Sequence, residues 1–260
     1  MACRDALPGL IQPDWHVSPR VRAFFTTRAG GVSGAPYGLH GGAPGGLNLG
    51  DHVGDAAASV ARNRARLPVQ PRWLAQVHGK VVVDLNGSDA EPAQVGADAA
   101  ITSTPGRACA VLVADCLPVL IADRAGRMVA AAHAGWRGLA DGVLETTVEA
   151  MTRRLPDADL VAWLGPCIGA QAFEVGPEVR AAFLAHDPES CSAFRAGNAD
   201  RWWCDLPELA RRRLTALNVL EISGGTWCTA SDPERFYSYR RDGQTGRMAA
   251  VVWLDLEQDP

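Results

Sequence analysis

The sequence predicts an α+β protein in one domain built on mixed sheets. Three observations carry this. Short apolar runs bounded by turn residues dominate the middle and the end of the chain. Stretches with helical periodicity lie between them. No repeat, low-complexity tract or linker divides the 260 residues. Residues 1–20 read as an N-terminal extension and 21–260 as the single domain.

Taken in order, residues 21–26 read as the first strand. Residues 29–47 are rich in glycine, which favours turns, and read as loop. Residues 55–67 have helical composition. Residues 73–76 and 81–85 read as strands around a turn at His78-Gly79-Lys80. Runs at 98–102, 108–114, 119–123 and 127–133 read as further strands, separated by Pro105-Gly106, Cys116-Leu117-Pro118 and Arg124-Ala125-Gly126. Residues 138–155 read as one helix. Leu139, Val143, Leu144, Val148, Met151 and Leu155 share a face, Arg153 and Arg154 suit the C-terminal dipole, and Pro156 marks the stop. A strand at 159–164 leads into Gly165-Pro166-Cys167-Ile168-Gly169. Helices follow at 178–185 and 206–217, and strands at 219–223, 236–240 and 248–254.

The composition, 47% hydrophobic and 21% charged, is that of a soluble globular protein. A formal net charge of -4 argues against nucleic acid as a partner. Arg211-Arg212-Arg213, beside Glu208, reads as a solvated helix face. No apolar run suits a signal peptide or a membrane span, so the expected location is cytoplasmic, with no membrane partner. The seven cysteines, Cys3, Cys109, Cys116, Cys167, Cys191, Cys204 and Cys228, are odd in number and contain no C-x-x-C, which fits a reducing compartment rather than a disulfide framework.

Three segments carry the chemistry: Gln76-Val77-His78-Gly79, Ala114-Asp115-Cys116-Leu117-Pro118 and His133-Ala134-Gly135-Trp136-Arg137-Gly138. Each offers one imidazole or thiolate at the end of a strand-like run. Two imidazoles and one thiolate suit zinc, and three protein ligands leave a position open for a reactant. His133 ends an apolar strand that feeds a turn and a helix N-terminus, where Arg137 offers a fork for phosphate or carboxylate. Spacing alone leaves the alternatives open: a lone cysteine is also a small buried hydrophobe, and a lone histidine is also a hydrogen-bonding partner.

Together with further stretches, these residues resemble the YfiH-type family, also called the multicopper polyphenol oxidase or laccase-domain family. The matching stretches include Phe25-Thr26-Thr27-Arg28, Leu47-Asn48-Leu49-Gly50, His52-Val53-Gly54-Asp55, Asn63-Arg64, Ala97-Asp98-Ala99, Gly165-Pro166-Cys167-Ile168-Gly169, Glu174-Val175-Gly176 and Ser238-Tyr239-Arg240-Arg241-Asp242-Gly243. The family is described as purine nucleoside phosphorylases with broader purine activities. The resemblance implies α/β/β/α layers and a zinc ion held by His78, Cys116 and His133, with copper as a substitute. One departure is the glycine-rich stretch between Tyr37 and Leu47, longer than the pattern leads one to expect.

The implied reaction is phosphorolysis of adenosine, inosine or a methylthio-nucleoside, with adenosine deamination as a second activity. Candidate catalytic residues are Cys116, His133 and Asp115, with Glu174 a weaker proton carrier. Candidate substrate or phosphate contacts are Arg137, Arg64, Asn48, Gln76 and Cys167. The expected partners are purine nucleosides and phosphate, and the expected assembly is a monomer or weak homodimer. A metal-free Cys116–His133 nucleophile pair, acting as an amidase on peptidoglycan precursors, is the rival reading. A copper phenol oxidase ranks below it, because six histidines without an H-x-H pair are few for a multicopper centre.

Overall fold

A computed structural model describes residue 7, residues 9–87 and residues 96–256. In chain order its strands are β1 Val21–Phe25, β2 Ala29–Ser33, β3 Val82–Asp84, β4 Ala99–Thr102, β5 Ala108–Val113, β6 Leu117–Asp123, β7 Val129–Ala134, β8 Leu160–Leu164, β9 Glu174–Val175, β10 Phe194–Ala196, β11 Trp202–Cys204, β12 Glu221–Gly224 and β13 Met248–Leu254. The helices are α1 Ala57–Arg64, α2 Trp136–Asp141, α3 Val143–Arg154, α4 Pro177–His186, α5 Leu206–Ala216 and α6 Tyr239–Asp242.

Strand β6 is apolar from Leu117 to Ala122 because both its faces are covered. It is central in a six-stranded mixed sheet of order β12-β8-β6-β7-β4-β3. On one face Val119 and Ile121, with Ala130 and Ala132 of β7, meet Leu144, Val148 and Met151 of α3 and Leu209 and Leu214 of α5. On the other face Leu120, Ala122, Ala131 and Trp163 meet Val111, Ala250 and Val252 of the antiparallel sheet β1-β13-β5. The outer face of that second sheet, Ala110, Leu112, Ala249 and Val251, is covered by Leu47, Leu49 and Leu67. Asn63 of α1 ties this cover down by donating to the carbonyls of Asn48 and Gly46. The result is the α/β/β/α layering expected of a single α+β domain. Truncating a side chain such as Ile121 to alanine removes packing on a fully buried face and costs about 2–5 kcal/mol.

Several local expectations are corrected by tertiary partners. Residues 29–47 are not all loop: β2 forms because Ala29 and Ser33 bridge to Gly46 and the Val32 N–H donates to Asn63 Oδ1. Residues 73–76 form no strand. Arg72 and Ala75 make isolated bridges to Cys109 and Gly96 instead. The expected helix 138–155 is two helices, since Gly142 at φ 99° caps α2, its N–H bonding the carbonyls of Gly138 and Leu139. Residues 236–240 form no strand either. Phe236 and Tyr237 are aromatic because they fill the core, and Ser238 caps α6 by accepting the Arg241 N–H.

The Arg211–Arg213 triplet is not a solvated face. Arg211 donates to the carbonyls of Ile222 and Gly224, Arg212 pairs with Asp187, and the buried Arg213 pairs with Glu145. Before β1, the Ile11 and Phe25 backbones bond in both directions at 2.9 and 2.7 Å, and Trp15 and Val17 pack on the core. Six cysteines are free thiols among the described residues, and Cys3 lies outside them. Among the described residues no helix is long and apolar enough to cross a membrane.

Candidate metal centre

Register places the donors. Strand β6 pairs with β7 so that Leu117 lies opposite Ala134 and Pro118 opposite His133. Cys116, immediately before β6, is thereby brought beside the His133 imidazole at the end of β7. His78 arrives from the loop preceding β3. The ligand atoms of His78, Cys116 and His133 all lie within 4.8 Å of one another. Cys116 Sγ is 3.8 Å from His78 Nε2, and the two imidazole rings meet edge to face with centroids 4.8 Å apart.

One carboxylate organises this arrangement. Asp98 Oδ1 lies 2.7 Å from His133 Nδ1, which leaves Nε2 of that ring for the cavity. The same carboxylate accepts the backbone N–H groups of Val77, His78 and Gly79 at 3.1, 2.9 and 2.7 Å. Those bonds hold His78 at φ 60°, a left-handed conformation that costs a side-chain-bearing residue about 1–3 kcal/mol. Burial alone raises the Asp98 pKa. The His133 imidazole and the Gly79 and Val77 N–H groups outweigh it and hold the carboxyl below its ordinary value.

Burial likewise opposes charge on Cys116 and His133, but their mutual attraction prevails. The His133 and His78 rings pull the Cys116 thiol below its usual range. The Cys116 sulfur and Asp98 push the His133 imidazole above its own. Both shifts favour a thiolate beside an imidazolium in the absence of any other cation.

The three donors open onto a cavity of about 390 Å³. Gln76, His52, Tyr239 and Arg247 share its wall with the Leu112–Ala114 stretch. Gln76 is fixed by a double hydrogen bond to the Leu112 backbone, donating from Nε2 at 2.8 Å and accepting at Oε1 at 2.7 Å. Gly135 has no room for a side chain: a Cβ there stands 2.9 Å from Cys116 Sγ and 3.2 Å from His78 Cδ2.

The donor set fits a transition-metal ion. It comprises a polarised thiol, two imidazoles, a carboxylate that fixes one imidazole's tautomer, and an open side toward a cavity. The other residues singled out in the sequence fall elsewhere. Asp115, at φ 94°, turns its side chain away from the cavity: Oδ1 accepts from Thr229 Oγ1 at 2.6 Å and Oδ2 from the Arg240 N–H at 2.7 Å. Arg137 stacks on Trp136, and Arg64 reaches the Leu49 carbonyl, Asp51 and the Trp73 ring. Neither lines the cavity. Asn48 is fully buried and ties together Gly50, Asp55 and the backbone of Arg247. Cys167 is buried, its backbone pairing with that of Cys228 in an isolated β-bridge, and burial pushes its free thiol well above its usual range. Glu174 sits in β9, paired with Trp203 of β11.

Four groups at the site carry no role in the sequence analysis: Asp98, which orients the donors, and three that line the cavity. Asp98, His52 and Tyr239 occur in the quoted stretches without an assigned function, and Arg247 was not singled out. Its one signal is an arginine placed immediately before the buried strand β13.

Fold and cavity together define a class: a single α+β domain whose six-stranded sheet carries, at its strand ends, a His–Cys–His donor set of the metal-binding kind. The chain belongs to the multi-copper polyphenol oxidoreductase laccase family, whose model matches residues 22–255. It is 51% identical over 250 residues to a Pseudomonas aeruginosa protein named purine nucleoside phosphorylase, covering 94% of this chain and 98% of that one. The Escherichia coli purine nucleoside phosphorylase YfiH is 50% identical over 252 residues, with the same coverage. Among solved structures, a Neisseria meningitidis protein superposes with a TM-score of 0.85 at 44% identity, over 95% of this chain and 99% of its own. YlmD from Geobacillus stearothermophilus superposes with a TM-score of 0.82 at 30% identity, over 92% of this chain and 94% of its own.

Proposed function

We propose that the chain is a zinc-dependent purine nucleoside phosphorylase, in which His78, Cys116 and His133 hold the metal. The observation that carries the reading is the convergence of these donors on a cavity within the size range of small-molecule sites, roughly 300–1,000 Å³. Relatives at 50% and 51% identity that bear the phosphorylase name support it.

In the reaction an oxygen of inorganic phosphate attacks C1′ of the ribose, the bond from C1′ to the purine nitrogen breaks, and the departing base takes up a proton. The transition state is oxocarbenium-like, as in other glycosyl transfers. When bound, zinc supplies Lewis-acid polarisation and orientation of a reactant oxygen. Asp98 keeps His133 in one tautomer and His78 in one backbone conformation, so the donor geometry costs no reorganisation during turnover. Gln76 and the Leu112–Ala114 stretch form a fixed wall, and Tyr239, 62% exposed, offers an aromatic surface at the rim.

Among the described residues the cavity wall holds no carboxylate. Adenosine deamination would therefore need a proton carrier other than a carboxylate, such as a histidine or Tyr239, and it stands behind phosphorolysis. A multicopper oxidase is disfavoured by the ligands themselves, since His78, Cys116 and His133 form the one cluster of this kind among the described residues. The Cys116–His133 hydrolase is the second reading, favoured by the lowered thiol pKa beside His133 and His78.

The test pairs metal analysis with product analysis. Adenosine is supplied with and without phosphate, before and after chelation. Adenine released only with phosphate and only by metal-loaded protein is the expected result. Inosine formed without phosphate points to deamination. Hydrolysis of a muropeptide amide by chelated protein, with no adenine release, overturns the reading in favour of the thiol.

A further inference from the structure

Arg247 is the unpaired cation of the cavity. Several arginines elsewhere have carboxylate partners, as in Arg127 with Asp123, Arg212 with Asp187 and Arg213 with Glu145. Among the described residues Arg247 has none within ion-pair distance. Its Nη1 donates to the carbonyls of Thr245 and Gly246 at 3.0 and 3.2 Å, which fixes the guanidinium plane. Its Nε and Nη2 have no hydrogen-bond partner among the described residues. Burial lowers its pKa, opposed by the Cys116 and Asp115 charges. A half-buried cation without a counter-charge is unfavourable unless a ligand supplies one.

The chain also builds a seat for this residue. Asn48 Oδ1 accepts the Arg247 N–H at 2.9 Å, and the Leu49 N–H donates to the Arg247 carbonyl at 3.1 Å. Gly50 lies against the stem, where a Cβ would stand 2.8 Å from Arg247 Cγ. The buried Asn48 thus holds a cavity residue in place. His52, a few residues on, lines the same cavity.

We propose that Arg247, seated on Asn48-Leu49-Gly50, is the receptor for a tetrahedral oxyanion, inorganic phosphate, in the cavity that also holds the His78–Cys116–His133 donors. A planar fork with free N–H groups matches the oxygen edge of phosphate, which a point charge does not. This deepens the phosphorylase reading, since the same anion is the attacking group there. It rests on that reading for the choice of phosphate as the natural anion, while the receptor itself rests on the geometry of Arg247. The phosphomonoester of a nucleotide carries the same chemistry on a larger body, and the experiment separates the two.

The full-length, metal-loaded protein is titrated with inorganic phosphate and, in a separate arm, with adenosine 5′-monophosphate, by calorimetry and 31P NMR. Saturable phosphate binding is expected. Arg247→Gln is expected to weaken it at least about tenfold, the loss typical of charge-assisted hydrogen bonds. Arg247→Lys should retain part of the affinity. Gly50→Ala should weaken phosphate with the guanidinium still present. Metal content should stay at the wild-type level in all three. If Arg247→Gln does not fold, Arg247→Lys and Gly50→Ala decide the matter, through loss of phosphate affinity at wild-type metal content. Phosphate affinity unchanged by these variants, or no phosphate binding by wild type, overturns the proposal. So does Arg247-dependent binding of the nucleotide with none of phosphate. If Arg247 binds phosphate and no adenine is released, the receptor stands and the phosphorylase reading falls. If adenine is released and the phosphate KM is the same in Arg247→Gln, the reverse holds.

Discussion

Asp98 Oδ1 and His133 Nδ1 lie 2.7 Å apart, and the same carboxylate receives the Val77, His78 and Gly79 N–H groups. One buried side chain therefore orients one imidazole directly and another through its backbone. The three donors act as a unit because of Asp98, which is not itself a ligand.

Asp98→Asn should consequently lower metal affinity without touching a ligand. The amide cannot supply the negative charge that makes His133 a stronger ligand, nor accept all the bonds the carboxylate accepts. A loss of about 10- to 100-fold is expected, typical of residues that orient metal-bound histidines. Competition with a chromophoric chelator measures it. Unchanged affinity would mean that the donor geometry is set by the β6–β7 register alone.

Gly135→Ala should act sterically at the same centre. Its methyl would stand 2.9 Å from Cys116 Sγ and 3.2 Å from His78 Cδ2, so sulfur and ring must move apart. Overpacking of this kind costs about 1–3 kcal/mol of stability. Metal stoichiometry by elemental analysis should fall as well. A variant that melts normally and keeps a full metal complement would contradict the close approach.

Metal binding should release protons in a pH-dependent number. The metal-free centre holds a thiolate, its pKa lowered, and an imidazolium, its pKa raised. Between those two values the metal displaces one proton, from His133. Below the thiol value it also displaces one from Cys116. Above the imidazole value it displaces neither. Apparent affinity should therefore rise with pH and level off once His133 is neutral. Calorimetric titration in buffers of different ionisation enthalpy counts the protons.

Stability in acid should depend on Asp123. Its carboxylate is fully buried and receives Arg127 Nε and Nη2 at 2.8 and 2.9 Å. Burial raises its pKa, but the Arg127 bonds and backbone N–H groups outweigh this and hold it below its ordinary 3.8. A lowered folded-state pKa stabilises the protein above the unfolded-state value, and that contribution is lost as pH falls through the folded-state value. Asp123→Asn should cost about 1–3 kcal/mol at neutral pH. The gap between wild type and variant should narrow below about pH 4, where the unfolded carboxyl is protonated. Urea melts at pH 7 and pH 3 test this, and a pH-independent gap would refute it.

Sequence alone determined where most strands run and which side chains are candidate metal donors. The apolar runs of β5 to β8 and β13 mark strands covered on both faces, a property each residue carries locally. His78, Cys116 and His133 stand out because imidazoles and thiols at strand ends are chemically distinctive. Only the tertiary structure decided that these donors meet, since their convergence depends on the β6–β7 register and on the loop clamped by Asp98, 35 residues from His133 in the chain. It also turned Asp115 toward Thr229 and Arg240, took Arg137 and Arg64 off the cavity wall, and brought Arg247 onto it. An arginine paired to a carboxylate and one facing a cavity are the same letter in a sequence. The difference lies in partners supplied from distant segments, such as Asn48 across 199 positions, and no local pattern encodes them.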